Sequence, residues 1–463
     1  MACLIAAPAS GSGKTLVTLA LTALARRRGR SIQTFKVGPD YLDPQLLTAT
    51  SGRPCRNLDP LLCGEAWVER SYRGFGSGAD LAVVEGVMGL FDGKGPSSEG
   101  SSAAVAAQLG LPVLLVVEAS RQAGSLAALV RGFRDHQAHL QIAGVVLNGV
   151  GSDRHHALLR EALQSIGMPL LGALPRHETL SLPSRHLGLL PAHELSDLEE
   201  RQGAWANLAE RHLDLEQLWP LLGAPSPPAD GLDPITWCLQ AHPAAPGGHA
   251  PLTIAIASDR AFHFRYPEAG ELLAAHGLRV EAWSPLADAP LPAECRGLIL
   301  PGGYPELHAA QLAASQRSRS AIAAAAAEGL PIYAECGGLL LLGQSLCDQA
   351  GVAQPMAGVL PFHARRGSLS LGYRDASVGR EGLVVRPGER LCGHEFHRWQ
   401  LDPVAAHGEL WQLEGWGSPI RPEGWTHPGL HASWLHLHWA GCSQVPQRFA
   451  LAARTYHRDH CLA

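Results

Sequence analysis

No uninterrupted apolar stretch in this sequence reaches the roughly 18 residues that a membrane-spanning helix needs. The opening MACLIAAPASGSGKT also lacks the basic n-region of a secretory leader, so a cytoplasmic protein is expected. No CxxC pair occurs: the ten cysteines, at positions 3, 55, 63, 238, 295, 336, 347, 392, 442 and 461, are scattered. That scatter argues against a disulfide scaffold or a structural zinc site and leaves any important cysteine as a thiol. Positive charge is not in excess either. Lys+Arg 37 against Asp+Glu 42 gives a net charge of −5, so neither nucleic acid nor an anionic membrane is an expected partner. Internal repeats are missing too. With 46% hydrophobic and 17% charged residues, the chain is folded rather than a solvated, disordered one.

What is present is an alternating pattern. The 463 residues suffice for two to three domains at about 150 residues each. Short aliphatic runs at Cys3–Ala7, Ile32–Lys36, Leu81–Glu85, Val113–Glu118, Ala143–Leu147 and Leu170–Leu174 read as strands covered on both faces. Helical segments such as Lys14–Arg28 and Ser101–Leu109 lie between them, which predicts a doubly wound parallel α/β sheet over residues 1–222. A Pro/Gly/Ala-rich stretch over 223–250 reads as a linker. A second α/β series follows over 251–463, with strands expected at Leu252–Ala257, Leu298–Leu300, Pro331–Ala334 and Ser433–Trp439.

Two motifs carry chemistry. Residues Pro8 to Thr15 have the spacing of a phosphate loop, with Pro8 in place of the first Gly, after a strand and opening a helix. Loop N–H groups of Ser10, Gly11, Ser12 and Gly13 would hold phosphate, Lys14 would add its charge, and the Thr15 hydroxyl suits Mg²⁺. Neighbouring strand ends present Lys36, Asp40 and Asp43, and then Glu85 and Asp92, to the same crevice. Thr15, Asp43 and Glu85 are the expected metal ligands, with Lys36, Asp40 and Asp92 near the transferred phosphate. Singly, each acid also reads as a solvated loop carboxylate. Asn148, at the end of the fifth strand, reads either as a contact to an adenine edge or as a turn residue. Ala9 stands where partitioning-type regulatory ATPases carry a signature lysine, which counts against that class.

The second motif is Glu335-Cys336-Gly337-Gly338, where an apolar strand runs into a helical Leu run. A residue on such a turn is held out as a nucleophile. Gly303, of the Gly302-Gly303 pair, and Gly337 are candidate oxyanion donors. Read as a strand, Ser433–Trp439 puts His436 and His438 on one face, giving His436 as base and His438 as alternate or orienting partner. A buried structural cysteine and half-buried histidines are the bland alternative. Gly393-His394-Glu395-Phe396-His397 reads equally as structural or substrate-facing.

The segments GSGKT (11–15), FKVGPDYLDP (35–44), EGVMGLFDG (85–93), LPSRHLGL (182–189), LPGGYPEL (300–307), YAECGGL (333–339), GHEFH (393–397) and SWLHLHW (433–439) together resemble the cobyrinate a,c-diamide synthase family, which includes the hydrogenobyrinate enzymes. The resemblance implies an N-terminal domain like dethiobiotin synthetase and a C-terminal class I-type glutamine amidotransferase domain. It implies ATP- and Mg²⁺-dependent amidation of the a- and c-carboxylates of a corrin, with L-glutamine as nitrogen donor and acyl phosphates as intermediates. Cys336 then takes the place of the nucleophile and His436 that of its activating histidine, and a homodimer is compatible with it. Cobyric acid synthase and nickel-sirohydrochlorin a,c-diamide synthase are the nearest alternatives. His263 stands where Asn is expected, and the acid usual two residues beyond the amidotransferase histidine is replaced by His438.

Overall fold

The structure, a computed structural model, describes residues 2–176, 184–185, 188–189, 191–244, 250–402 and 410–461. Half of the LPSRHLGL segment, positions 182, 183, 186 and 187, therefore lies outside the described residues. The chain divides into two units, Met1–Pro234 and Ile235–Ala463.

The first unit is built on seven strands: β1 (Cys3–Ala6), β2 (Ile32–Val37), β3 (Arg56–Leu58), β4 (Leu81–Glu85), β5 (Val113–Glu118), β6 (Ile142–Val150) and β7 (Leu170–Pro175). Their order is β3-β2-β4-β1-β5-β6-β7, with every pair parallel. β1 and β4 are buried at every position, because helices cover both faces and leave no polar side of the sheet. Each such Val, Leu or Ile side chain contributes about 1.5–3 kcal/mol of transfer free energy. β3 escapes a hydropathy reading because Arg56 and Asn57 are polar, yet both are buried.

Helix α1 (Lys14–Arg27) follows the phosphate-loop segment and packs on one face of this sheet. Two buried threonines on it, Thr18 and Thr22, return their hydroxyls to the carbonyls one turn back, at 2.9 and 2.7 Å, so neither polar group is orphaned. A helix over Leu198–His212 lies against α1 and plugs its core side with Trp205, which is fully buried. The predicted 223–250 linker is divided. Gly223 bridges Leu81, and Arg70 bonds both oxygens of Asp230 at 2.6 Å, within the first unit. In the second, Cys238 Sγ reaches Ala440 O at 3.6 Å and His242 Nδ1 lies 2.8 Å from Ser443 Oγ.

The second unit has a six-stranded sheet in the order Leu278–Trp283, Leu252–Ala257, Leu298–Leu300, Ile332–Glu335, Leu430–Ser433 and Trp425–His427. Its strands are parallel apart from the last, which runs antiparallel. A separate sheet that the hydropathy pattern does not announce is dominated by a long antiparallel hairpin, His363–Val378 with Arg390–Asp402. The predicted strand Ser433–Trp439 does not form: the strand here is Leu430–Ser433, which shares only Ser433 with it. There the buried Glu423 carboxylate accepts the Ser433 hydroxyl at 2.6 Å and the Trp434 N–H at 3.0 Å, and Ser433 Oγ accepts the Leu435 N–H at 2.9 Å. Side chains thus take the donors that a continuing ladder would use. Among the described residues no helix is long and apolar enough to cross a membrane.

Truncating Trp205 to Ala should cost about 3–5 kcal/mol, the usual loss for an aromatic deleted from a filled core. Denaturant unfolding of the full chain measures it, and a loss below about 1 kcal/mol would show that the Leu198–His212 helix is not part of the first unit's core.

Candidate active sites

In the first unit the candidate residues sit where β1, β2 and β4 end. The loop after β1 turns on Gly11 (φ +80°) and Gly13 (φ +106°) before α1 begins at Lys14. Gly13 is required twice over: its φ disfavours a side chain, and a Cβ there would lie 2.6 Å from Asn148 Nδ2. Asn148 donates to Ser12 O at 3.2 Å and Ser12 Oγ donates to Ala9 O at 2.9 Å, so both side chains brace the loop from within. Ser10 and Gly11 are exposed at its crest.

Lys14 Nζ donates to Met88 O at 2.6 Å. Burial, with the Lys36 ammonium close by, brings its pKa down to about 8. Lys36 is almost wholly buried, its Nζ 2.6 Å from Asp43 Oδ2, 2.8 Å from Glu85 Oε1 and 3.7 Å from Asp40 Oδ2. Burial opposes its charge, but the three carboxylates overcome that and hold its pKa well above the ordinary lysine value. Thr15 Oγ1 donates to the same Glu85 oxygen at 2.7 Å and lies 3.5 Å from Asp43 Oδ2. Burial pushes Glu85 up, and pushes Asp40 up to about 7 with the help of Asp43's charge. Asp43 goes the other way: burial would raise it, but its bond to Lys36 keeps it below the usual carboxylate range.

The expected ligands Thr15, Asp43 and Glu85 therefore do converge, and all are hard oxygen donors of the kind Mg²⁺ takes. Glu85 Oε2 is buried with no hydrogen-bond partner among the described residues, an unused ligand position that fits the ion. Asp92 is elsewhere. Its Oδ2 accepts the Gly89 N–H at 2.8 Å, closing the turn on which Met88 takes φ +47° and offers its carbonyl to Lys14. It shapes the loop rather than joining the acid cluster.

In the second unit, the strand Ile332–Glu335 delivers Cys336 at φ +47°, ψ −103°, a conformation strained for any residue with a Cβ. The turn is held by Cys336 N donating to Ser433 O at 2.8 Å, and by the absence of side chains around it. A Cβ on Gly338 would collide with Leu300 O, and one on Gly303 with Ala261 O. A Cβ on Gly302 would run into the His436 ring, so one glycine of the pair makes room for the imidazole. Its neighbour Gly303 brings its N–H to within 2.9 Å of where a Gly337 Cβ would stand, so the two candidate oxyanion donors are adjacent.

His436 is buried and exchanges two backbone hydrogen bonds of 2.9 Å with His394. Burial alone would discharge its ring. Its interaction with Cys336, including a hydrogen bond, and the Glu335 carboxylate outweigh that and raise its pKa to about 10. Its Nδ1 lies 3.5 Å from Glu335 Oε2. Sequence reasoning missed Glu335, although an acid closing an apolar strand beside the nucleophile was visible. The expectation for His438 requires correction: with the strand over at Ser433, His438 Nε2 faces Glu268 Oε2 at 3.6 Å and its ring lies 4.2 Å from that of Tyr266. The GHEFH segment abuts the thiol through its backbone, Phe396 O being 3.9 Å from Cys336 Sγ. Its buried Glu395 binds Arg374 Nε at 2.8 Å, Arg421 Nη2 at 2.5 Å and His397 Nε2 at 2.9 Å, which fixes the hairpin.

Comparison with known proteins agrees with this division. Residues 3–190 match the family described as CobQ/CobB/MinD/ParA nucleotide binding domain, and residues 253–443 the CobB/CobQ-like glutamine amidotransferase domain. The cobyrinate a,c-diamide synthase of Gloeobacter violaceus is 45% identical over 97% of this chain and 96% of its own. The hydrogenobyrinate a,c-diamide synthase of Streptomyces coelicolor is 43% identical over 97% of both chains. Among solved structures, PurLQS from Thermotoga maritima is a remote likeness, at TM-score 0.34 and 17% identity over 45% of this chain and 99% of its own. A nucleotide-binding unit followed by an amidotransferase unit makes the chain a glutamine-dependent ligase. With near full-length identity of 45% and 43% to these two relatives, it belongs to the cobyrinate a,c-diamide synthase family.

Replacing Lys36 by Met should destabilise the first unit by about 3–5 kcal/mol at pH 7, because it strands two buried carboxylates without a cation. The loss should shrink as pH falls toward 5, where protonation removes the uncompensated charge. Chemical unfolding at both pH values tests this, and equal losses would contradict it.

Proposed function

We propose that this chain converts the a- and c-side-chain carboxylates of cobyrinate or hydrogenobyrinate to amides, using ATP and L-glutamine. The names of its curated relatives supply the substrate, and the chemistry follows from the two sites. In the second unit the thiol proton of Cys336 passes to His436 and the sulfur attacks the glutamine amide carbon. The Gly303 and Gly337 N–H groups receive the oxyanion, His436 hands the thiol proton to the leaving nitrogen, and ammonia departs as the C–N bond breaks and a thioester forms. Water then releases glutamate, with His436 taking and returning the proton.

In the first unit the loop N–H groups and Lys14 bind the ATP phosphates. Thr15, Asp43 and Glu85 would hold Mg²⁺, which offsets phosphate charge when bound. Lys36, fixed among three carboxylates, keeps a positive charge where the γ-phosphoryl group crosses to the corrin carboxylate. The acyl phosphate and ADP result. Ammonia displaces phosphate from the acyl phosphate and leaves the amide.

The observation that carries the proposal is Cys336, held at φ +47° against a buried, proton-retaining His436, in a chain that also contains a phosphate loop. A partitioning-type ATPase has no use for that strain. Cys336→Ser should reduce glutamine-dependent amidation by at least about a hundredfold while ammonia-dependent amidation persists. Lys14→Ala should remove product from either nitrogen source. Mass spectrometry of the corrin after incubation with ATP and Mg²⁺ reads both, and undiminished glutamine use by Cys336→Ser would refute the thiol's role.

A further inference from the structure

The position two residues beyond the base, where an amidotransferase histidine usually finds its acid, is His438 here, and His438 is engaged with Glu268. His436 nevertheless has a carboxylate at its Nδ1. We propose that Glu335, the residue immediately before the nucleophile, is the positioning acid of this site, completing a Cys336–His436–Glu335 relay from a single strand end and the chain that returns past it. The inference rests on the reading of Cys336 and His436 given above.

Glu335 is built for one orientation. Residues 333 and 335 share a face of the strand, and Tyr333 Oη donates to Glu335 Oε1 at 2.5 Å. The Leu437 N–H donates to the same oxygen at 3.1 Å. Two donors on Oε1 leave Oε2 to face the imidazole, 3.5 Å from Nδ1. Tyr333 is itself pinned: its ring stacks on His431 at 4.7 Å and its oxygen accepts Trp439 Nε1 at 3.3 Å. Burial drives the Tyr333 hydroxyl well above the ordinary tyrosine range, so it stays a donor.

The groups around the base are consistent with this assignment. From the hairpin side His436 faces His394, and beyond Tyr333 lies His431; burial takes both down to about 3 and leaves them neutral. The positive charge accordingly rests on His436, which lies beside Cys336 and Glu335. With Nδ1 turned to Glu335, the other ring nitrogen is the one that exchanges the thiol proton. The S–H bond breaks, an N–H bond forms, and no further reactant is needed. Because strand and nucleophile are consecutive, the strain at Cys336 also sets where the acid stands.

Removing the negative charge should make the imidazolium lose its proton at lower pH. In Glu335→Gln, the alkaline limb of the pH profile for glutamine hydrolysis should move down by about one unit or more. The rate should fall by about a hundredfold or more. Glu335→Asp, which keeps the charge at shorter reach, should hold the wild-type limb with an intermediate rate. Ammonia-dependent amidation by the same preparations reports folding, since it bypasses the thiol. A wild-type limb in Glu335→Gln, or a displaced one in Glu335→Asp, would overturn the proposal. So would a displaced limb in His438→Gln, which would return the role to His438. The Cys336→Ser result separates the two levels: if that variant still hydrolyses glutamine the underlying reading fails, and if it does not, the Glu335 profiles judge this inference alone.

Discussion

A cysteine forced to φ +47° at the end of a buried parallel strand is the constraint around which the second unit is arranged. Such a backbone angle costs on the order of 1–3 kcal/mol and persists only where the surroundings over-determine it. Here they do. The Cys336 N–H is committed to Ser433 O on the next strand, and Gly302, Gly303 and Gly338 each stand where a side chain would strike the base or a carbonyl. The strain points the thiol toward an imidazole whose own backbone is clamped to His394 by two hydrogen bonds.

The first unit solves a different problem with the same architecture. Parallel strands end together, so polar residues just beyond β1, β2 and β4 meet in one crevice. Burying two ammonium groups and several carboxylates is costly; Lys14 has the Met88 carbonyl as partner and a lowered pKa, while the acid cluster is held by a cation in direct contact. Lys36 is its hub, bonded to Asp43 and Glu85 within 2.8 Å. The result is a site whose charges are placed before any phosphate arrives, so little reorganisation remains to be done at reaction.

The legible parts of the sequence were those whose signal is local. Doubly covered strands are uniformly apolar, so six of the seven strands of the first sheet stand out, and the glycines at 11, 13, 303, 337 and 338 mark backbone that must approach closely. β3 was hidden by Arg56 and Asn57, polar residues whose partners come from elsewhere in the fold. The Arg390–Asp402 hairpin was hidden because its long partner strand mixes charged and apolar residues with one side partly exposed. The period-two pattern over Ser433–Trp439 misplaced His438, since Glu423 ends the strand and no pattern in that segment announces it. Glu335 was missed for a related reason: its importance depends on where the chain at 436 and 437 returns.

The two proposed half-reactions share one nitrogen atom: that released at the thiol is consumed at the phosphate site of the same polypeptide. Incubation with glutamine labelled with nitrogen-15 in its side-chain amide, ATP, Mg²⁺ and the corrin tests it most directly. Both new amides should carry the label, with one ADP formed for each amide. Labelled product without matching ADP, or ADP-coupled product that draws its nitrogen from elsewhere, would contradict it.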